Sequence, residues 1–278
     1  MTSPITEQST VASLVDFWLE QLRAEGRLDR TTINEYERVL RKLVVPRLGS
    51  VRLHALTTER VNVFLGELGN QSLNAQRKSK VVFGAMLDAA FAHAALRTNP
   101  ARGSLSISRP KTDPRTLTNA EVEAVRAAVR AWLGKERSGP KSSRDMADIV
   151  DLMLATGARI GEVLALRWRD VDLDARTIEI NATVKTEAGT GTYRKLLPRS
   201  RSLELPTSAV EALKSRRKTI RENHLDAVFP TRNITWHQVN NIERRWRQIR
   251  REAGLEWVTP ELFRRQPRPD EPPRRHQL

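Results

Sequence analysis

Residues 152–172 read LMLATGARIGEVLALRWRDVD, and this stretch decides how the rest of the chain is interpreted. An apolar run precedes Gly157, a residue type that commonly closes a helix because it takes positive φ without a Cβ clash. An apolar stripe of helical period restarts at Ile160. The pattern predicts two helices joined by a tight turn, with Arg159 in the first turn of the second.

Arg159 and Glu162 suggest two roles for this turn. The first turn of a helix presents unbonded N–H groups and the positive end of the helix dipole, which favour an anion. A guanidinium there would add a bidentate clamp for a phosphate, and Glu162 lies on the same helical face, where it could hold Arg159 in place. The alternative is an ordinary surface ion pair, which is the more common outcome of this spacing.

The residues ATGARIGEVLALRWRDVD closely resemble the first arginine motif of the tyrosine recombinases, the phage-integrase family. The resemblance covers about 18 residues, and the flanking regions follow the family's order. It implies that Arg159 is a catalytic arginine. It also implies the family's chemistry, in which a tyrosine hydroxyl attacks a DNA phosphate. Arginines, histidine-type donors and a lysine then stabilise the transition state without metal or ATP.

Composition limits the classes of partner. The 278 residues are enough for two domains, and 48 Lys and Arg against 33 Asp and Glu give a formal net charge of +15. Such a surface favours nucleic acid first and an anionic membrane second. We therefore expect double-stranded DNA as the main partner, with other recombinase protomers as a further candidate.

Several classes are excluded by what the sequence lacks. It has no apolar run of about 18 residues and no N-terminal signal peptide. It has no cysteine, and its five histidines show no metal-ligand spacing. We expect a cytoplasmic, nucleoid-associated bacterial protein with no membrane contact, no metal and no cofactor.

Residues 1–100 carry four helical patterns and resemble the helical core-binding domain that the family places on DNA. Within the second pattern, Thr32 with Glu35 predicts a capping box and Pro46 predicts the helix end. Residues 101–116 are predicted to be a basic linker. Candidate phosphate contacts, for which an ordinary solvated basic face is an equally good interpretation, are Arg77, Lys78 and Lys80 at the start of the fourth helix and Lys111 in the linker.

Residues 117–265 predict a mixed α+β domain, which makes the whole chain mostly α with a small antiparallel sheet. After the arginine motif the apolar period changes from 3.6 to 2 in RTIEINATV, as expected of a half-buried strand. The family carries a catalytic lysine on this hairpin. Lys195 aligns best with it, Lys185 is the other candidate, and a solvated turn lysine is the ordinary interpretation.

A later helix, from about His237 to Ala253, is rich in arginine and resembles a phosphate-tracking surface. The arginines predicted to contact DNA there are Arg244, Arg245, Arg247 and Arg251. The stretch that follows resembles the family's second conserved box, in which Arg264 matches the second catalytic arginine. Glu261 stands where the family has histidine, and a carboxylate there would repel a phosphate.

Residues 266–278, QPRPDEPPRRHQL, form a Pro/Arg-rich tail that cannot supply the helices and nucleophilic tyrosine expected next. The chain has only Tyr36, on an apolar helical stripe, and Tyr193, beside the hairpin. We therefore expect a catalytic domain that lacks its C-terminal part through a frameshift or premature stop, and a DNA-binding relative unable to cleave by itself. The alternatives are a non-catalytic module that occupies recombination sites and a non-functional gene remnant.

Overall fold

The computed structural model describes residues 5–108, 115–135, 145–187 and 189–264. Spatial contacts divide the chain into two compact units, Met1–Lys111 and Thr112–Leu278. Lys111 and the tail at 266–278 lie outside the described residues. The finer division proposed above, with a linker at 101–116, stays a prediction.

Unit 1 is helical. Thr10, Thr57 and Ser72 cap three of its helices by accepting a hydrogen bond from a backbone N–H three residues on. The helices pack their apolar stripes into one common core. Its elements are α1 Val11–Glu25, α2 Arg30–Val39, a π-helical turn Leu40–Val44, α3 Val45–Leu48, a 3-10 turn Leu53–Ala55, α4 Thr58–Gln71 and α5 Leu73–Ala92.

Two predictions about α2 are wrong. The helix begins at Arg30 after Asp29, without a side-chain cap, and Glu35 instead bonds Arg38. The helical run also continues past Pro46. Just before it, the N–H of Val45 bonds the carbonyl of Leu40, so hydrogen bonding shifts by one residue. Pro46 then lies in the first turn of α3, where a missing N–H leaves no bond unmade.

Unit 2 combines helices with one small sheet. The strand order is β1-β2-β3, with both pairs antiparallel. Ile178, Ile180, Ala182 and Val184 are buried and alternate with more exposed residues, as predicted. Its elements are α6 Asn119–Gly134, α7 Asp145–Thr156, α8 Ile160–Leu164, a 3-10 turn Trp168–Asp170, β1 Val171–Asp172, β2 Thr177–Glu187, β3 Gly191–Glu204, α9 Thr207–Thr219, α10 Val239–Glu252 and α11 Pro260–Phe263. The fold class, mostly α with a small antiparallel sheet, is confirmed.

The β2–β3 pair contains one large irregularity. Ile180 lies opposite Arg201, but Ala182 lies opposite Leu196. Residues 197–200 of β3 therefore face a single residue of β2, so the strand bulges outward between its two paired parts. This bulge separates Arg201 from the tip of the hairpin.

Arg216 of α9 is a buried cation that joins three segments. Its Nη2 donates to Asp145 at 2.6 Å, its Nη1 to Asp148 at 2.7 Å, and its Nε to the carbonyl of Val228 at 2.6 Å. The bonds hold α7, α9 and the segment before α10 together. Each contact satisfies a donor of the buried guanidinium. Replacing Asp145 or Asp148 would leave part of that charge unpaired and would lower the free energy of unfolding.

No helix in the described ranges is long and apolar enough to cross a membrane. Within those same ranges, no group of three His, Asp or Glu side chains is placed to hold a metal ion.

Candidate functional site

The break between α7 and α8 lies where it was predicted, but Arg159 precedes α8 and does not lie in its first turn. The hydroxyl of Thr156 donates to the carbonyl of Leu152 at 2.6 Å and accepts from the N–H of Ala158 at 3.2 Å. Gly157 has φ of +66°, which is the left-handed conformation expected of it. Arg159 follows in extended conformation as the residue before α8.

One part of the expected anion site differs from the prediction. The N–H of Arg159 donates to Glu162 Oε2 at 2.8 Å, so a side chain of the protein already satisfies this group. In addition, α8 has only 5 residues, so its dipole is small. Anion binding here therefore depends on the guanidinium of Arg159, whose side chain is 60% exposed.

Glu162 does hold Arg159, but it has a second partner that the sequence did not reveal. Nη1 of Arg159 lies 3.2 Å from Glu162 Oε1. Arg201 of β3 donates to the same carboxylate, with Nη2 at 2.6 Å from Oε2 and Nη1 at 3.3 Å from Oε1. The Glu162 side chain is only 2% exposed. Glu162 is thus a buried carboxylate shared by two arginines. The arrangement differs from the surface ion pair that the spacing of Arg159 and Glu162 would ordinarily indicate.

Arg264 lies directly against the turn at Gly157. Its Nε donates to the Gly157 carbonyl at 3.2 Å, across 107 residues of sequence. A Cβ built on Gly157 would lie 3.5 Å from the carbonyl oxygen of Arg264, so the two backbones are in contact. The fold therefore brings together the two arginines that the sequence singled out.

The segment that carries Arg264 is anchored by α10. Trp246 is buried, its Nε1 donates to the carbonyl of Val258 at 3.0 Å, and its ring packs edge-on against Phe263 at 5.2 Å. Arg250 donates to the same carbonyl at 3.1 Å. These contacts hold the segment just before α11 and the last residue of α11, and with them the position of Arg264.

Glu261 faces Arg264. Both of its carboxylate oxygens lie near Nη1 of Arg264, at 3.1 and 3.2 Å, and its side chain is 56% exposed. Glu261 therefore engages Nη1 of Arg264 and partly neutralises its charge.

The two candidate lysines lie on the hairpin. Lys195 of β3 is opposite Thr183 of β2, and Lys185 is two residues further along β2. A Cβ on Gly161 of α8 would fall 2.6 Å from the Thr183 hydroxyl, so the Thr183 side chain packs against α8. Opposed residues of an antiparallel pair, and residues two apart on one strand, project to the same face. Both lysines therefore project towards the α8 side of the sheet.

Each of the two tyrosines has a partner within its own unit. Tyr36 stacks on Trp18 in unit 1, with ring centres 5.7 Å apart. The hydroxyl of Tyr193 donates to Glu187 at 2.8 Å within the β2–β3 hairpin.

The candidate phosphate contacts of α5 already have partners in unit 1, apart from the half-buried Arg77. Lys78 forms an ion pair with Glu35. Lys80 donates to the carbonyls of Ser104 and Leu105 at 3.1 and 2.7 Å.

The arginines of α10 are arranged differently. Ile242, Trp246 and Ile249 are buried, and a helical repeat of 3.6 residues puts Arg244, Arg247 and Arg251 on the opposite side. Arg245 lies on the flank, and all four arginines are exposed. Arg244 donates to the side chain of Asn241, and Arg247 donates to the carbonyl of Glu243, so both bonds stay within α10. A row of this kind can follow a run of phosphates.

Residues 115–267 match the Phage integrase family, and the chain belongs to that family. The integrase of Staphylococcus phage L54a is 27% identical over 197 residues, covering 66% of this chain and 55% of the relative. The tyrosine recombinase XerC of Xanthomonas campestris pv. campestris (strain B100) is 27% identical over 228 residues, covering 79% of this chain and 63% of the relative. The chain therefore spans less than two thirds of the length of these two relatives.

Among solved structures, the Tn1549 transposon integrase (residues 82–397), in complex with circular intermediate DNA, has the same fold. The TM-score is 0.75 at 20% identity, over 92% of this chain and 84% of that one.

Proposed function

We propose that this chain binds duplex DNA through its phosphates and that Arg159 and Arg264 form the site for the phosphate at which the family reacts. The observation that supports this most is the contact of Arg264 with Gly157, two residues from Arg159. Two guanidinium groups that come from distant parts of the sequence can together surround one phosphate with directed N–H donors.

Lys195 is our candidate for the lysine that protonates the leaving oxygen, and Lys185 remains the alternative. The resemblance to the family supplies this role. The projection of both side chains towards α8 supports it. In this scheme the arginines stabilise the charge that develops on the phosphate, and the lysine completes proton transfer.

The arginine row on α10 is our candidate for the surrounding, sequence-independent contacts, with Arg77, Lys78, Lys80 and Lys111 as further candidates on the first unit and the linker. The Tn1549 integrase was solved on DNA, and this chain carries a formal net charge of +15. Both support duplex DNA as the partner. Other protomers of the family are the second class of partner that we propose.

We further propose that the 278 residues bind without cleaving. Formation of the covalent intermediate needs a phenol oxygen held in line with the phosphate. The sequence has two tyrosines. Tyr36 packs in unit 1, and Tyr193 is bonded to Glu187. Glu261 adds negative charge next to Arg264, where negative charge develops during the reaction.

The proposal is tested with labelled duplex DNA. Affinity should fall steeply between 50 and 200 mM salt, because several condensed counterions are released on binding. A binding constant that does not change with salt would contradict it. Cleavage is tested with nicked substrates on a denaturing gel, where no protein–DNA adduct is expected. An adduct that disappears with Tyr193→Phe would show instead that Tyr193 is the nucleophile.

A further inference from the structure

The buried carboxylate of Glu162 is shared unequally between two arginines. Arg201 contacts both of its oxygens, at 2.6 and 3.3 Å, whereas the side chain of Arg159 contacts one oxygen at 3.2 Å. A guanidinium that engages a carboxylate with two N–H groups forms the stronger pair. Arg201 is therefore the main counter-ion of Glu162.

This unequal sharing has an electrostatic consequence. One arginine and one carboxylate would form a neutral pair with little attraction for a phosphate. The trio of Arg159, Glu162 and Arg201 carries a net charge of +1 when all three groups are ionised. The side chain of Glu162 is only 2% exposed, and charges interact more strongly where water is excluded. Without Arg201, Glu162 would therefore attract the guanidinium of Arg159 strongly and compete with a phosphate for it.

Glu162 is an ionised carboxylate in this arrangement. Burial alone would raise its pKa, but hydrogen bonds from Arg201 and from the backbone N–H of Arg159 outweigh burial and leave the pKa below its ordinary value. The buried charge is thus present at neutral pH and requires a counter-ion.

Arg159 retains donors for another anion. Its only side-chain bond among the described residues is the one from Nη1 to Glu162, so Nε and Nη2 remain without a protein partner there. The side chain of Arg201 is 39% exposed, against 60% for Arg159. Arg159, the more exposed of the two, thus keeps Nε and Nη2 for another anion, whereas Arg201 uses both Nη groups on Glu162.

We infer that Arg201 is a positioning residue of the phosphate site, which neutralises Glu162 so that Arg159 is available to a DNA phosphate. The inference rests on the proposed function, because it assigns Arg201 a part in the same phosphate site. It adds a residue of β3, separated by the bulge from the tip of the hairpin, to the site proposed for Arg159 and Arg264.

The first test compares Arg201→Gln with Arg199→Gln in duplex binding at fixed salt. Both variants lose one positive charge from β3, but Arg199 has no hydrogen bond or ion pair within the described part of the chain. Arg201→Gln is expected to weaken binding roughly tenfold, as for one lost charge-assisted contact, and Arg199→Gln by much less. Arg201→Lys keeps the charge and should recover part of the loss. Equal losses for the two Gln variants would overturn the inference.

The second test separates this role from a merely structural one. In Arg201→Gln, the unpaired Glu162 carboxylate competes with DNA for Arg159. The double variant Glu162→Gln/Arg201→Gln removes that competitor, so it should bind more tightly than Arg201→Gln alone. In an Arg159→Gln background, Arg201→Gln should cost no more than Arg199→Gln. If the double variant binds no better than Arg201→Gln, the inference fails. If the unmutated chain does not bind duplex DNA in a salt-dependent way, the proposed function fails first.

Discussion

Arg264 donates from Nε to the carbonyl oxygen of Gly157 at 3.2 Å, and this bond links two segments that are 107 residues apart. Gly157 can accept it because its left-handed conformation turns the backbone sharply between α7 and α8. The side chain of Arg264 is thus tied to main chain two residues before Arg159, and main chain moves less than a long side chain. This link makes the geometry of the site sensitive to a residue that has no side chain.

Gly157→Ala should therefore lower stability and duplex affinity together. An alanine in the left-handed region costs about 1–2 kcal/mol. Its Cβ would meet the Arg264 backbone at an ordinary contact distance of 3.5 Å, so the cost comes from conformation and not from collision. The measurements are urea unfolding and duplex titration.

Gly26→Ala is the matched control for this variant. Gly26 has φ of +64° and nothing within 4 Å of a built Cβ. It should lose a similar amount of stability with unchanged duplex affinity in folded protein. Equal losses of affinity in both variants would show that the contact between Gly157 and Arg264 does not matter for binding.

Glu261→Gln should increase duplex affinity by roughly three- to tenfold at moderate salt, because it removes the carboxylate that faces Arg264. Stability should change by no more than about 1 kcal/mol, since the pair is exposed. Glu261→His should have at least as large an effect, because it also restores a donor. Unchanged affinity in both variants would mean that Arg264 takes no part in binding.

The four exposed arginines of α10 should contribute to the salt dependence of binding. Arg244→Gln, Arg247→Gln and Arg251→Gln are each expected to reduce the slope of log K against log salt by about 0.9, the value for one phosphate contact. Arg23→Gln makes the same change in charge, but Arg23 is paired with Glu37. The slope measured for Arg23→Gln should therefore equal that of the unmutated chain. An equal decrease for Arg23→Gln and for the three α10 variants would indicate a general effect of charge.

Unit 1 should lose stability in acid through Glu35. Hydrogen bonding from Arg38, with a further contribution from Lys78, lowers the pKa of Glu35 from 4.5 to about 2. A lowered folded-state pKa means that the stabilisation is present above about pH 4.5 and is lost as pH falls towards 2. Unfolding followed across this window should show a steeper loss for the unmutated chain than for Glu35→Gln. Parallel curves would exclude this contribution.

Local patterns in the sequence predicted what depends on local chemistry. The left-handed Gly157 and the alternating burial of β2 both agree with the structure. Each follows from the conformational preference or periodicity of neighbouring residues. Arg264 lies against the turn that precedes Arg159, although only the family resemblance had joined the two arginines.

The features that the sequence did not predict depend on which partner a side chain or carbonyl finds in the folded chain. Glu35 does not cap α2, because Arg38 and Lys78 engage its carboxylate. The π-helical turn before Pro46 has no simple signal in the residues around it. The sequence does not indicate the ion pair of Arg201, because its partner Glu162 lies 39 residues away. No spacing rule connects a strand residue to a buried glutamate on a preceding helix. The pair becomes visible only once α8 packs against β2, the strand with which β3 is paired.

The buried Arg216 also has a consequence for folding while the protein is being synthesised. Its partner Asp145 leaves the ribosome 71 residues earlier. At about 5–20 residues per second, the carboxylate waits roughly 4–14 s for its cation. During that interval the N-terminal end of α7 lacks the buried cation Arg216 and the helix that carries it. The nascent chain then exposes apolar surface, so slowing translation after α8 should increase its capture by chaperones.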